Sequence, residues 1–127
     1  MREKHLYEYA IIRIVPRVER EEFINVGVVI CHWKRDFLGC KLLLNTKKLL
    51  MLDPLADVEM IQLNLASFEK ICTGALDGGN IAAMDLASRF RWLTAVRSSI
   101  IQTSRPHSGY AEDLEKTLER LFEENIA

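Results

Sequence analysis

Three short apolar runs open this chain, the first of them β-branched and aromatic, and the connections between them are too short for a helix to cross over. The runs are LYEYAIIRIV at 6–15, FINVGVVICH at 23–32 and FLGCKLLL at 37–44, separated by PRVEREE and WKRD. Parallel strands need a crossover of roughly a dozen residues or more, so this spacing predicts an antiparallel meander over about 6–44. Period-2 alternation puts Ile12, Ile14, Ile24, Val26, Val28, Ile30, Leu38, Cys40, Leu42 and Leu44 on one apolar face, which should pack under helices. The opposite face carries Tyr7, Tyr9, Ile11, Arg13, Asn25, Gly27, Val29, Phe37, Gly39 and Lys41, a mixture of aromatic, small and polar side chains.

The period then changes from two to about 3.6. Asp53-Pro54 reads as a helix start, because Asp can cap free N–H groups and Pro fits the first helical position. Val58, Ile61, Leu65, Phe68 and Cys72 form one stripe, which predicts a long helix over about 54–76 ended by Asp77-Gly78-Gly79. A second helix is expected at about 85–95 on Leu86, Phe90 and Leu93, and a C-terminal helix at about 112–125 on Leu114, Leu118, Leu121 and Phe122. RSSIIQTS at 97–104 returns to strand composition, and Pro106 and Gly109 interrupt regular structure after it. The expected fold is α+β in one domain over 1–127. An antiparallel sheet of three or four strands has two or three helices mainly on one face, the middle and C-terminal helices among them.

Seventeen basic and eighteen acidic residues leave a net charge of -1, so no whole-molecule attraction toward nucleic acid or an anionic membrane is expected. No apolar run approaches the roughly 20 residues that span a bilayer, and the N-terminus lacks the pattern of a signal peptide, which predicts a cytoplasmic protein. Cys31, Cys40 and Cys72 lack C-x-x-C spacing and read as buried small hydrophobes without disulfides. Cys31 and His32 are adjacent, so a strand sends them to opposite faces, and neither a metal site nor a cofactor is expected.

Two segments carry candidate chemistry. On the mixed sheet face, Gly27 leaves space near Asn25 and Arg13, where a guanidinium would grip a carboxylate or phosphate unless Arg13 pairs with an acid such as Glu22. The other is RFRWLTAVRSSIIQTSRPH, in which Arg89, Arg91 and Arg97 are interleaved with Phe90 and Trp92, the composition of a single-stranded nucleic-acid surface. Phe90 and Trp92 diverge on a helix, however, and Phe90 belongs to the buried stripe. His107 with Ser98, Ser99 or Ser104 supplies a base and a nucleophile as weak catalytic candidates, with no nucleophile elbow, phosphate loop or zinc-protease motif beside them.

YEYAIIRIVPRVEREEFINVGVVI and RFRWLTAVRSSIIQTSRPHSG together resemble the bacterial domain-of-unknown-function family 3037, across nearly the whole chain. Arg13, Pro16, the stretch Glu22 to Val28, and Arg89 to Ser98 carry the resemblance. Arg105-Pro106-His107 departs from the Pro-Val-His-like sequence expected there, which leaves the loop around His107 open. The resemblance implies a small cytoplasmic bacterial domain, found beside or joined to kinase-fold proteins of the HipA type, in an accessory role. It selects Arg13, Glu22, Asn25, Gly27, Arg89, Arg97, Ser98, Gln102 and His107 for test, and of these Arg13, Asn25, Arg97, Ser98 and Gln102 are expected to bind ligand in one composite pocket if the 97–104 strand joins the meander. The resulting expectation is a binding or regulatory module with a protein partner, a HipA-like kinase or a second copy of the chain, and a small-anion pocket. A nuclease-like or phosphoryl-chemistry enzyme using His107 and Ser98 is one alternative, and a single-stranded nucleic-acid binder is another.

Overall fold

β1 (His5–Ile14) is the middle of a five-stranded antiparallel sheet. On one side it pairs with β2 (Ile24–His32), which pairs with β3 (Leu38–Leu42); on the other it pairs with β4 (Ile101–Thr103) and β5 (His107–Ala111). The computed structural model describes residues 3–126. The three runs of the meander therefore form as expected. The 97–104 segment does join the sheet, and the fifth strand comes from the chain beyond Pro106.

Both ladders of β1 slip by one residue. Toward β2, Ile12 faces Gly27 but Arg13 faces Asn25, so Val26 is a β-bulge. The bulge corrects the simple alternation. Val26 packs with Ile12, Ile14, Val29 and Cys31 on one face, while Val28 and Ile30 join Tyr7 and Ile11 on the other. β2 is thereby apolar on both sides, and both faces of the sheet are covered. Gly27 opens no pocket: a Cβ there would stand 2.4 Å from the Lys41 carbonyl oxygen and 2.6 Å from Leu42 Cδ2, so the missing side chain is what lets β3 approach.

Toward the other edge, Ile12 faces Thr103 but Tyr9 faces His107, which leaves an extra residue within Ser104–Pro106. Pro106 has no N–H to give a ladder, and a break at the sheet edge accommodates it. Ser104 seals the break. Its N–H donates to the Ile11 carbonyl at 2.8 Å, and its buried Oγ accepts the Ile11 N–H at 2.8 Å in place of a backbone carbonyl.

Four helices share the Ile12 face: α1 (Thr46–Leu52), α2 (Val58–Thr73), α3 (Gly79–Ala82) and α4 (Leu86–Thr94), which contribute Leu49, Ile61, Leu65, Phe68, Ala82, Phe90 and Leu93 to the larger core. α5 (Leu114–Asn125) lies on the opposite face, where Leu118, Leu121 and Phe122 pack on Tyr7, Ile11 and Ile30. The C-terminal helix therefore does not share a face with the middle helix, because the bulge creates a second apolar face for it.

Helix boundaries shift for local reasons. Asp53 ends α1 instead of starting a helix. Its Oδ1 accepts the Leu55 N–H at 3.1 Å and an Arg17 Nη2 hydrogen bond at 3.3 Å, an Asx turn built on Asp-Pro. Asp57 is the cap of α2, accepting from the Met60 N–H at 3.0 Å, and Gly74 at φ 70 ends α2 ahead of Asp77-Gly78-Gly79. Among the described residues no helix is long and apolar enough to cross a membrane.

The seal at Ser104 yields a direct test. Ser104→Ala leaves the buried Ile11 N–H without its acceptor and is expected to lower the unfolding free energy by about 1–3 kcal/mol. Urea denaturation followed by circular dichroism measures it, with the loss appearing as a lower midpoint at an unchanged slope.

Candidate functional site

The α5 cluster takes in Tyr7, Tyr9 and Ile11 from β1 and ends there. Two residues further along the same face stands Arg13, beyond the cover of that helix. Its cross-strand neighbours are Asn25 on β2 and Gln102 on β4, so three strands set three polar side chains in one row. Two loops wall this end of the sheet. Val18, Glu21 and Phe23 come from the β1–β2 connection, and Val96, Arg97 and Ser98 from the chain entering β4; with Arg13, Val15 and Gln102 they enclose a cleft of about 540 Å³.

Arg13 lies with its guanidinium carbon 4.3 Å from the centre of the Phe23 ring, a cation–π contact that orients it. Its Nε is buried without a hydrogen-bond partner, and among the described residues Arg13 has neither a hydrogen bond nor an ion pair. Glu22, the acid that stood as its natural partner, pairs with Arg20 at 2.8 Å instead. Arg97 is held differently. It stacks 4.1 Å from the Trp92 ring centre and donates to the carbonyls of Trp92 and Ala95 at the end of α4, and burial lowers its pKa from the usual arginine value. Gln102 donates through Nε2 to the Ser99 carbonyl at 2.9 Å. Glu21, at φ 56, is the acid in the lining, which holds two arginines and one carboxylate.

The structure thus brings Arg13, Arg97, Ser98 and Gln102 to one cleft. Asn25 shares the row with Arg13 but is exposed and lies outside the lining. His107 is not brought to this site. It faces Tyr9, with ring centres 5.5 Å apart, whereas Ser98 precedes Ile100, whose carbonyl accepts the Val15 N–H. Tyr9 and Val15 are about 20 Å apart along an extended strand, so His107 and Ser98 form no dyad. Ser99 Oγ donates to the Ile101 carbonyl at 2.6 Å and Ser104 Oγ serves the ladder, which commits both hydroxyls to the backbone.

The arginine–aromatic run does not form one surface. Arg89 Nη1 donates to the carbonyls of Ile71 and Cys72 at 3.1 and 2.9 Å, closing the C-terminal end of α2 where a cation is favoured by the helix dipole. Arg91 reaches Ser88 on its own helix, Phe90 is buried, and Trp92 faces Arg97.

One polar pair escaped the sequence reading. Buried His32 shares a hydrogen bond through Nδ1 with Asp36, and that bond, foremost, holds the Asp36 carboxyl below the ordinary carboxylate range. His32 Nε2 is buried without a partner, and His32 and Asp36 line a second cleft of about 620 Å³ with His5 and the start of α5. The signal was a His and an Asp four apart across a tight hairpin, hidden because His32 was weighed only beside Cys31. Among the described residues no group of three or more His, Cys, Asp and Glu side chains is arranged to hold a metal ion.

A family model described as protein of unknown function (DUF3037) matches residues 9–126. No curated protein and no solved structure matches the chain.

Arg89 and Arg13 should separate cleanly in stability. Arg89→Ala strips both carbonyls of their donor and is expected to cost about 1.5–3 kcal/mol, whereas Arg13→Gln, which removes a guanidinium held only by its ring contact with Phe23, should cost less than about 1 kcal/mol. Parallel thermal melts of the two variants provide the comparison.

Proposed function

The chain belongs to the DUF3037 family, and from its own residues we propose that it is a binding module that takes an anionic group, a carboxylate or phosphate, in the cleft between Arg13 and Arg97. The observation that carries this reading is the unpartnered Arg13. A guanidinium stays protonated, presents five N–H donors, and is costly to hold half-buried without acceptors. The protein nevertheless leaves it so, orients it on Phe23, and places a second guanidinium on the same cleft. A bidentate oxyanion satisfies this geometry, with charge-assisted hydrogen bonds of the stronger kind. Glu21 on the wall then works as a selectivity element, repelling anions that sit on its side of the cleft.

The partner that presents the anion is proposed to be another protein, in the accessory role beside a HipA-like kinase that the family resemblance implies, in a bacterial cytoplasm. The exposed apolar side chains of α1 and the turn after it, Met51 at 76% and Leu55 at 83%, support a protein partner, since such groups gain by leaving water. The hydrolytic reading through His107 and Ser98 receives no support from their positions at opposite ends of the edge. Nor does dispersal of Arg89, Arg91 and Arg97 support a stacking surface for nucleic acid.

Isothermal titration of the purified protein with inorganic phosphate, sulfate and acetate tests the proposal. Saturable binding of at least one anion is expected, weakened about tenfold or more in Arg13→Gln and weakened by added chloride. Absence of binding by all three, or equal binding by Arg13→Gln, would overturn it.

A further inference from the structure

On the other side of Arg97 and Gln102 lies a third cleft, of about 220 Å³. Phe68 and Ile71 of α2, Leu93 of α4, and Ile100 and Ile101 make it apolar, and the half-exposed Trp92 ring forms a wall. Arg97 and Gln102 line both cavities, so the two are neighbours that share a polar partition. The partition is itself anchored. Arg97 is stacked on Trp92 and tied to the end of α4, and Gln102 is tied to the Ser99 carbonyl.

An apolar recess that shares Arg97 with the arginine cleft matches one class of molecule. We infer that the ligand is an organic anion with an apolar arm: its carboxylate or phosphate lies between Arg13 and Arg97, and a ring or branched chain passes Gln102 and rounds the edge strand β4 into the recess beside Trp92 on the other face of the sheet. This inference rests on the anion-binding reading of the arginine cleft and adds the chemistry of the rest of the ligand. The head supplies orientation and the arm supplies affinity, because each methylene moved out of water into such a recess strengthens binding about fourfold. The same chemistry is carried by a free small acid and by a peptide carboxy-terminus whose last residue is apolar.

The test is a titration series on the intact protein. Acetate and inorganic phosphate give the head alone; hexanoate, 3-phenylpropionate and hexyl phosphate add the arm. Affinity should rise at least tenfold from head to head-plus-arm. Ser67→Trp, which places a large ring at the exposed rim of the recess, should abolish that gain and leave acetate and phosphate binding unchanged. Arg13→Gln should weaken every member of the series. An acetylated tetrapeptide ending in Phe, compared with its amide, separates the sources: tighter binding of the free acid than of 3-phenylpropionate identifies a chain terminus, and rejection of the peptide with retention of 3-phenylpropionate identifies a small acid. Equal affinity for the short and long anions would overturn the apolar arm and leave the anion site standing. A gain that survives Ser67→Trp would also overturn it. Failure of every anion to bind would overturn the site as well.

Discussion

The rest of this structure depends on β1 being paired along both edges while each ladder slips by one residue close to Ile12. A slip reverses which face a partner strand presents. Toward β2 it turns a nearly continuous apolar run into two buried faces, so one sheet carries four helices on one side and α5 on the other. Toward the opposite edge it splits one long strand into β4 and β5 and leaves Ser104 to complete the hydrogen bonding of Ile11. Neither slip displaces β1 itself, so its odd residues stay on one face from Tyr7 to Arg13. The α5 cluster ends at Ile11, and the next position on that face is the open end where Arg13 stands.

Four arginines show how differently the fold disposes of the same group. Arg89 closes the carbonyl end of α2, Arg35 bonds Glu8 at 3.0 Å and the Cys31 sulfur at 3.3 Å, and Arg97 closes the end of α4 while stacking on Trp92. Each of these gives at least one N–H to an acceptor inside the molecule, although Arg89 Nε is itself buried without a partner. Arg13 has an aromatic ring beneath it and no acceptor. Desolvating a permanent cation without acceptors opposes folding, so a partially buried arginine in this state is a place where an outside acceptor gains the most. The nearby acids do not remove the opportunity, since Glu22 is engaged by Arg20 and Glu21 stands on the wall alone against two cations.

Strand content, antiparallel sense and the three principal helices were legible because period and connection length act locally. The bulge at Val26 was not, since nothing in INVGVVICH distinguishes a strand that alternates from one that changes face midway, and the placement of α5 followed that error. α1 was missed because TKKLLML buries one residue, Leu49, and so shows no stripe. Asp53-Pro54 misled because an Asx turn and a helix cap use the same carboxylate geometry, and Gly74 was passed over for the louder Asp-Gly-Gly. At the site, treating 97–104 as a strand made an approach of Gln102 to Arg13 conceivable, but the register that pairs them was not legible. The sharing of Arg97 between two cavities could not be read, because it depends on how a loop without regular structure folds over the sheet edge.

The most direct measurement is the Nη–Hη resonance of Arg13 in a nitrogen-15 correlation spectrum recorded near freezing, assigned by its loss in Arg13→Gln and followed as phosphate is added. A donor that gains a charged acceptor moves downfield. If Arg13 is the anion-binding group, its peak shifts saturably while that of Arg89 stays in place. A stationary Arg13 peak at phosphate concentrations that shift other resonances would contradict it.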